Sequence, residues 1–257
     1  DPLALDRIEV VRGPMATRYG ADAMGGVVQF LSWRPEFESQ HWQQQGGLRL
    51  RAASADGVVQ WRLFEAIGHE DLHLAAGHSR QSVERRRVGG GERLPFTGYR
   101  QHSSDLALTH LRGDHHLRLL WQRSEQPDTP RHDALVPGFG QTAAESAEQF
   151  FRPQRRQHSQ LLYRFDAPLP FADSIELQLG RQHMVDDRVS RDTGSVQRDI
   201  EANASTLKGF SAQFGRVIGE SHHLGYGIEA YSDRVHSARR RQNIETGAVS
   251  PRSGRFP

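Results

Sequence analysis

The stretch RIEVVRGPMATRYGADAMGGVVQFL, Arg7 to Leu31, decides how the rest of this chain is read. Ile8, Val10 and Val11 make a short β-run, and Val27 to Leu31 make a second, apolar one behind Gly25-Gly26. Between them Gly13-Pro14 forces a turn, because proline fixes φ and removes a donor while glycine accepts φ > 0. A small-residue segment closed by Tyr19-Gly20 follows. The unit is therefore strand, loop, strand, and not a long helix. Its glycines are not a phosphate loop: no Gly-Lys-Ser/Thr follows and the GxGxxG spacing is absent.

Working outward, the chain is 257 residues long with 25 glycines and no cysteine, which leaves neither a disulfide framework nor a thiolate metal site. The apolar share is 36% and the mean hydropathy is negative, low for a compact globule but suited to strands apolar on one face with polar loops. Basic and acidic residues nearly balance, 33 against 31. The arginines are scattered among acids and no nucleic-acid-binding signature appears, so no nucleic-acid partner is expected. No window approaches the roughly 18 apolar residues of a membrane-spanning helix.

From Ser32 to Gln45 the chain reads as a polar connection, and beyond it come segments with alternate apolar residues. Leu48 and Leu50 flank Arg49; Leu72, Leu74 and Ala76 stand against His73; Leu117, Leu119 and Trp121 against Arg118 and Gln122. Later come Leu161, Tyr163 and Phe165; Ile175, Leu177 and Leu179; and Leu224, Tyr226 and Ile228. A period of two puts each set on one face of a strand. Strands are expected over 42–53, 58–67, 72–82, 99–112, 116–126, 155–167, 174–185, 205–217 and 223–234. The links between them alternate short and long, with the tight Ser54 to Gly57 as the exception. That alternation fits a transmembrane barrel, with short turns on one side and long loops on the other, better than a soluble sandwich.

The opening stretch resembles the end of the plug domain of TonB-dependent outer-membrane receptors. The residues that match are Ile8, Glu9, Val10, Arg12, Gly13, Pro14, Tyr19, Gly20, Ala23, Gly25, Gly26 and Val27. Asp6, Thr17 and Gln29 depart from the family's pattern. The resemblance covers about the first tenth of the chain. It implies an all-β fold: a partial transmembrane antiparallel β-barrel of about nine meandering strands, preceded by the end of a plug. The plug would occupy 1–34 and the barrel 35–257. Family barrels have about 22 strands, so the chain is expected to be a fragment that forms no working pore alone.

The same resemblance implies residence in the bacterial outer membrane and active uptake of a ferric siderophore, haem or a similar scarce nutrient. Partners would be the TonB complex, through a box N-terminal to Asp1, the iron chelate or haem ligand, and outer-membrane lipid and lipopolysaccharide. Glu9 and Arg12 are expected to tie plug to barrel wall, while Gly13, Pro14, Tyr19, Gly20, Gly25 and Gly26 shape the motif.

For ligand contact the candidates are Arg131, His132, Asp133 and Phe139, in the long link Pro127 to Gln154. The runs Arg85-Arg86-Arg87 and Arg239-Arg240-Arg241 fall in or at the start of outer loops, as solvated charge or as a grip on anionic lipopolysaccharide. Adjacent histidines point to opposite strand faces and cannot chelate one ion, so no metal site and no cofactor is expected. No nucleophile elbow appears, so the chain is not read as an enzyme. The alternative from another class is a soluble β-rich binding or adhesion module. A passive porin would lack the opening motif.

Overall fold

The computed structural model describes residues 1–13, 24–219 and 221–252; Pro14, Tyr19 and Gly20 lie outside them. The chain opens with a 3-10 turn, Pro2–Ala4, whose proline supplies a preset φ and whose first exposed N–H is taken by the Asp1 carboxylate at 3.0 Å. Strands β1 (Leu5–Arg12) and β2 (Gly26–Ser32) then pair antiparallel, with Ile8 beside Phe30 and Val10 beside Val28. Gly26 has φ 146°, and a Cβ there would lie 2.5 Å from the Val11 carbonyl oxygen, so only glycine closes this pair.

The rest is one large antiparallel sheet. Its strands are β3 (Gln43–Ala53), β4 (Val58–His69), β5 (Leu72–Val83), β6 (Tyr99–Arg112), β7 (His115–Gln126), β8 (Thr129–Pro130), β9 (Ser146–Phe165), β10 (Ser174–Asp192), β11 (Gln197–Ile218), β12 (His222–Asn243) and β13 (Val249–Arg252). They form a meander in chain order, with β8 a short appendage on β9. Among the described residues β3 and β13 are free edges, so the sheet is not closed. A short helix, α1 (His132–Leu135), sits in the β8–β9 link.

Register fixes the two faces. Following lateral partners, Ile67, Leu74, Leu108, Leu119, Leu161, Leu179, Phe210 and Ala230 lie side by side on one face. Several of these stand well out in solvent: Leu179 is 51% exposed. The opposite face carries Arg49, Gln60, Arg62, His73, Ser79, Ser103, Gln122 and Gln178, and it is this face that the N-terminal hairpin covers. A soluble sandwich buries its apolar face against a second sheet; here, among the described residues, the apolar face has no protein over it and the polar face does.

The apolar band crosses the strands obliquely. Leu48, Leu50 and Ala52 face Leu63, Trp61 and Val59, but further along the same register Leu63 stands beside His78, Ser104 and Arg123. By β9 to β12 the band has moved toward the short turns. Strands tilted about 35–45° to a membrane normal require such a drift, because the hydrocarbon slab cuts across tilted strands.

Two expectations need correction. Asp186 to Ala204 is not a long loop but a hairpin, since β10 runs to Asp192 and β11 begins at Gln197. Likewise β9 starts at Ser146 and β12 runs to Asn243, so Arg239 to Arg241 lie within a strand and not in a loop. Strands of 19 to 22 residues are about twice what a bilayer needs. Outside hydrocarbon neither face has to be apolar, so the period-two signal ends while backbone pairing continues.

Candidate functional site

The site is the contact between the N-terminal hairpin and the polar wall. Asp1, with its side chain 5% exposed, caps its own turn and accepts a 2.8 Å bond from Gln60 Nε2 and a bond from the Ser79 hydroxyl. Arg62, 3% exposed, lies 3.8 Å from Asp1 and is held by a bidentate pair to Asp105 at 2.8 and 2.9 Å. Arg49 donates to the Leu3 carbonyl at 2.7 Å and lies over the Phe64 ring. On the exit side Gln122 donates to Ser32 Oγ at 3.1 Å, and Trp33 meets Phe64 edge-on.

Inward placement of these groups follows from strand alternation: Gln60, Arg62 and Ala66 share one face of β4, and Ser79, Gly77 and Ala75 the same face of β5. Gly77 is where the backbone lets the guanidinium in, because a Cβ there would overlap Arg62. Phe37 buries itself against Ala66 and Ala75, close enough to Gly68 that a Cβ would touch its ring at 2.6 Å. That small apolar cluster anchors the connection from the N-terminal hairpin to the large sheet, while the polar network anchors the turn.

A cleft of about 600 Å³ separates the hairpin from the wall, lined by Leu5 and Phe30 on one side and Asp105, Gln122 and Arg156 on the other.

The motif charges sit elsewhere. Glu9 accepts a 2.7 Å bond from Arg7 on its own strand, and Arg12 is exposed; neither reaches the wall among the described residues. Gly13 has φ 100° and donates to the Gly25 carbonyl at 3.2 Å. At the far end of the sheet Arg131 and Asp133 pair with each other, His132 is bonded to the Pro95 carbonyl at 2.7 Å, and Phe139 projects fully into solvent. Sequence reasoning passed over Gln60, Arg62, Ser79 and Asp105. Their signal was only a polar residue on the face opposite the apolar one, which dozens of positions share.

The outer hairpins are braced by ion pairs. Glu148 binds Arg198 and Arg191, which hold its carboxyl below the usual range. Asp199, bonded first by Arg241 and then by Arg239, is pulled from 3.8 to about 2. A depressed folded pKa means this bracing is complete above about pH 4 and is lost as the pH falls through 2. Pepsin cutting within 197–203 and 239–243, normalised to an unstructured peptide, is therefore expected to accelerate from pH 4 to pH 2. Asp199→Asn is expected to be cut fast at both. Equal rates in the parent at both pH values would refute the bracing.

Among the described residues no helix is long and apolar enough to cross a membrane, which says nothing of crossing by strands.

No protein-family model matches the chain. It is 49% identical over 39 residues to the iron-regulated outer membrane virulence protein of Vibrio cholerae, covering 15% of this chain and 6% of that one. It is 35% identical over 83 residues to the ferrioxamine receptor of Yersinia enterocolitica, 32% of this chain and 11% of that one. The matches thus span about a tenth or less of those relatives. Among solved structures, copper transporter OprC superposes with a TM-score of 0.75 at 13% identity, covering 97% of this chain and 36% of that one. Ferric citrate transporter FecA gives 0.66 at 19%, covering 99% and 38%. At such identities the likeness shows a shared fold.

Proposed function

We infer that this chain, a stretch of a TonB-dependent outer-membrane receptor, serves active uptake of a scarce, bulky nutrient, with a ferric siderophore as the cargo class. One observation carries the reading: an N-terminal hairpin is bonded to the polar face of a single-layer sheet whose other face is apolar and, among the described residues, uncovered. A stopper inside a lipid-embedded wall is what energised import requires, because cargo must pass only when the stopper is pulled. In this reading the TonB complex of the inner membrane does the pulling. Residues 1–34 belong to the plug and 35–257 to the barrel.

Glu9 and Arg12 then take their wall partners from barrel strands facing the other side of the hairpin; the chain spans 36% of OprC and 38% of FecA, so much of such a wall lies beyond it. Arg131, His132, Asp133 and Phe139 would meet the ligand from outside, and the membrane supplies lipid and lipopolysaccharide contacts. The names of the matched relatives, an iron-regulated outer membrane protein and a ferrioxamine receptor, support an iron chelate over haem.

The test is growth of iron-starved cells that depend on the complete gene, supplied with ferric siderophores or haem. Growth on a hydroxamate siderophore, abolished when TonB is deleted, is the expected result. TonB-independent growth would point to a passive pore. A product that does not fractionate with outer membranes would favour the soluble module.

A further inference from the structure

Two cavities open on the polar wall beside the N-terminal hairpin, and they are continuous. The cleft of about 600 Å³ under Leu5 and Phe30 meets a second of about 440 Å³, which lies toward the long hairpins, over Gln126, Gln154, Met184 and Asp186. Asp1, Ser124 and Arg156 line both, so the two join there. Volumes of this order are those of small-molecule sites, roughly 300–1,000 Å³. Register orders the route by depth: Gln126 stands beside Gln154, then Ser124 beside Arg156, then Gln122 beside His158.

The hairpin leaves this flank open. Its bonds from Arg49, Gln60 and Ser79 come from β3, β4 and β5, and the bond from Gln122 of β7 to Ser32 lies at the deep end of the cleft. Over β9 and β10 no hydrogen bond ties hairpin to wall among the described residues.

The acids along the route are all engaged. Asp105 is held by Arg62 at 2.8 and 2.9 Å, Asp186 by Arg188 at 2.7 Å and Gln154 at 3.2 Å, and Asp1 by Gln60 and Ser79. Arg156 is not engaged in this way: it makes no ion pair among the described residues, and its Nε donates to the Gln182 amide oxygen at 2.8 Å. The terminal nitrogens of its fork are left for a ligand. Arg123 and Arg155 also border the cavities, but alternation places their side chains on the other strand face. A gap that merely holds water needs no such sorting of charge. A ferric chelate that turns carbonyl, hydroxamate or carboxylate oxygens outward meets a cationic fork among amides and hydroxyls here, whereas a cationic solute meets repulsion. We propose that Arg156, with Gln154 and Gln182, is an internal binding station for such an oxygen-faced chelate, occupied as it passes between the N-terminal hairpin and strands β7, β9 and β10. The proposal rests on the reading of this chain as part of a ferric-chelate importer.

The experiment follows radiolabelled iron in cells making the intact receptor, supplied as a neutral ferric trihydroxamate, as ferric citrate or as a ferric catecholate. Surface binding is read in de-energised cells and uptake in respiring ones. Arg156→Ala is expected to leave surface binding of the imported chelate unchanged and to slow its uptake about tenfold, because a hydrogen bond to a charged group is lost on the route and not at its mouth. Arg156→Lys restores the charge and is expected to bring uptake back to within about threefold of the parent. Gln157→Ala, next in the chain but on the other face of β9, is expected to change neither readout. Parental uptake in Arg156→Ala would overturn the proposal. So would an equal loss of binding and uptake, or a lysine variant no better than the alanine one, since either makes Arg156 a support of the wall and not a contact of the cargo. A parent that imports none of these chelates would instead overturn the importer reading, and the station with it.

Discussion

Replacing Arg62 by alanine is expected to lower unfolding stability by about 3–5 kcal/mol, the cost of removing one partner from a buried ion pair. The guanidinium is 3% exposed and serves two carboxylates, Asp105 at 2.8 and 2.9 Å and Asp1 at 3.8 Å. Without it both acids stay inside a polar but enclosed interface, and Asp1 keeps only the neutral donors Gln60 and Ser79 beyond its own turn. The lower end of the range is the better expectation, because Asp105 is 25% exposed and water can reach it.

Asp105→Asn keeps the shape and is expected to cost less, since Arg62 then still has Asp1 nearby. Urea unfolding of the two variants in parallel checks this. Equal loss in both, or loss below about 1 kcal/mol for Arg62→Ala, would place the pair among weak surface bridges. Amide exchange adds the functional half: protection of residues 1–12 is expected to fall in Arg62→Ala while β9 to β12 stay protected, because the bonds made by Asp1 and Arg62 run to Gln60 on β4, Ser79 on β5 and Asp105 on β6.

Leu179→Arg and Gln178→Arg, adjacent residues of β10, are expected to separate by about 2–4 kcal/mol, which is the penalty for a cation on the lipid face near midplane. Leu179 is 51% exposed between Leu161 and Phe210, and so sits in the apolar band. Gln178 points to the polar wall, where an added charge is expected to change stability by no more than about 0.5 kcal/mol. In water the ordering would reverse or vanish, since an exposed leucine costs nothing to replace by arginine. Folding titrations in lipid vesicles therefore test the face assignment directly. Equal behaviour of the two variants would refute it.

Much of this architecture was legible in the sequence because a bilayer imposes a period. Leu72, Leu74 and Ala76, or Ile175, Leu177 and Leu179, have to alternate with polar residues when one face meets lipid and the other a wet interior. The starts of β4, β5 and β6 at Val58, Leu72 and Tyr99 were set by that alternation and by the turns before them. Where the membrane ends, the period ends. The outer half of β10 and β11 therefore read as loop, although Asp199 with Arg239 and Arg241 holds those strands together.

By itself the chain's order of residues determined the one-sided strands, their count to within two short additions, and the glycine-hinged hairpin that leads into them, since each is a local consequence of alternation or of φ. Only the tertiary structure decided which charges meet across the interface. Glu9 found Arg7 two residues away, whereas Arg62 found Asp105 and Asp1, 43 and 61 positions distant in the chain. Pairing between hairpin and wall depends on where a folded sheet brings its inner face, and no spacing along the backbone encodes that distance.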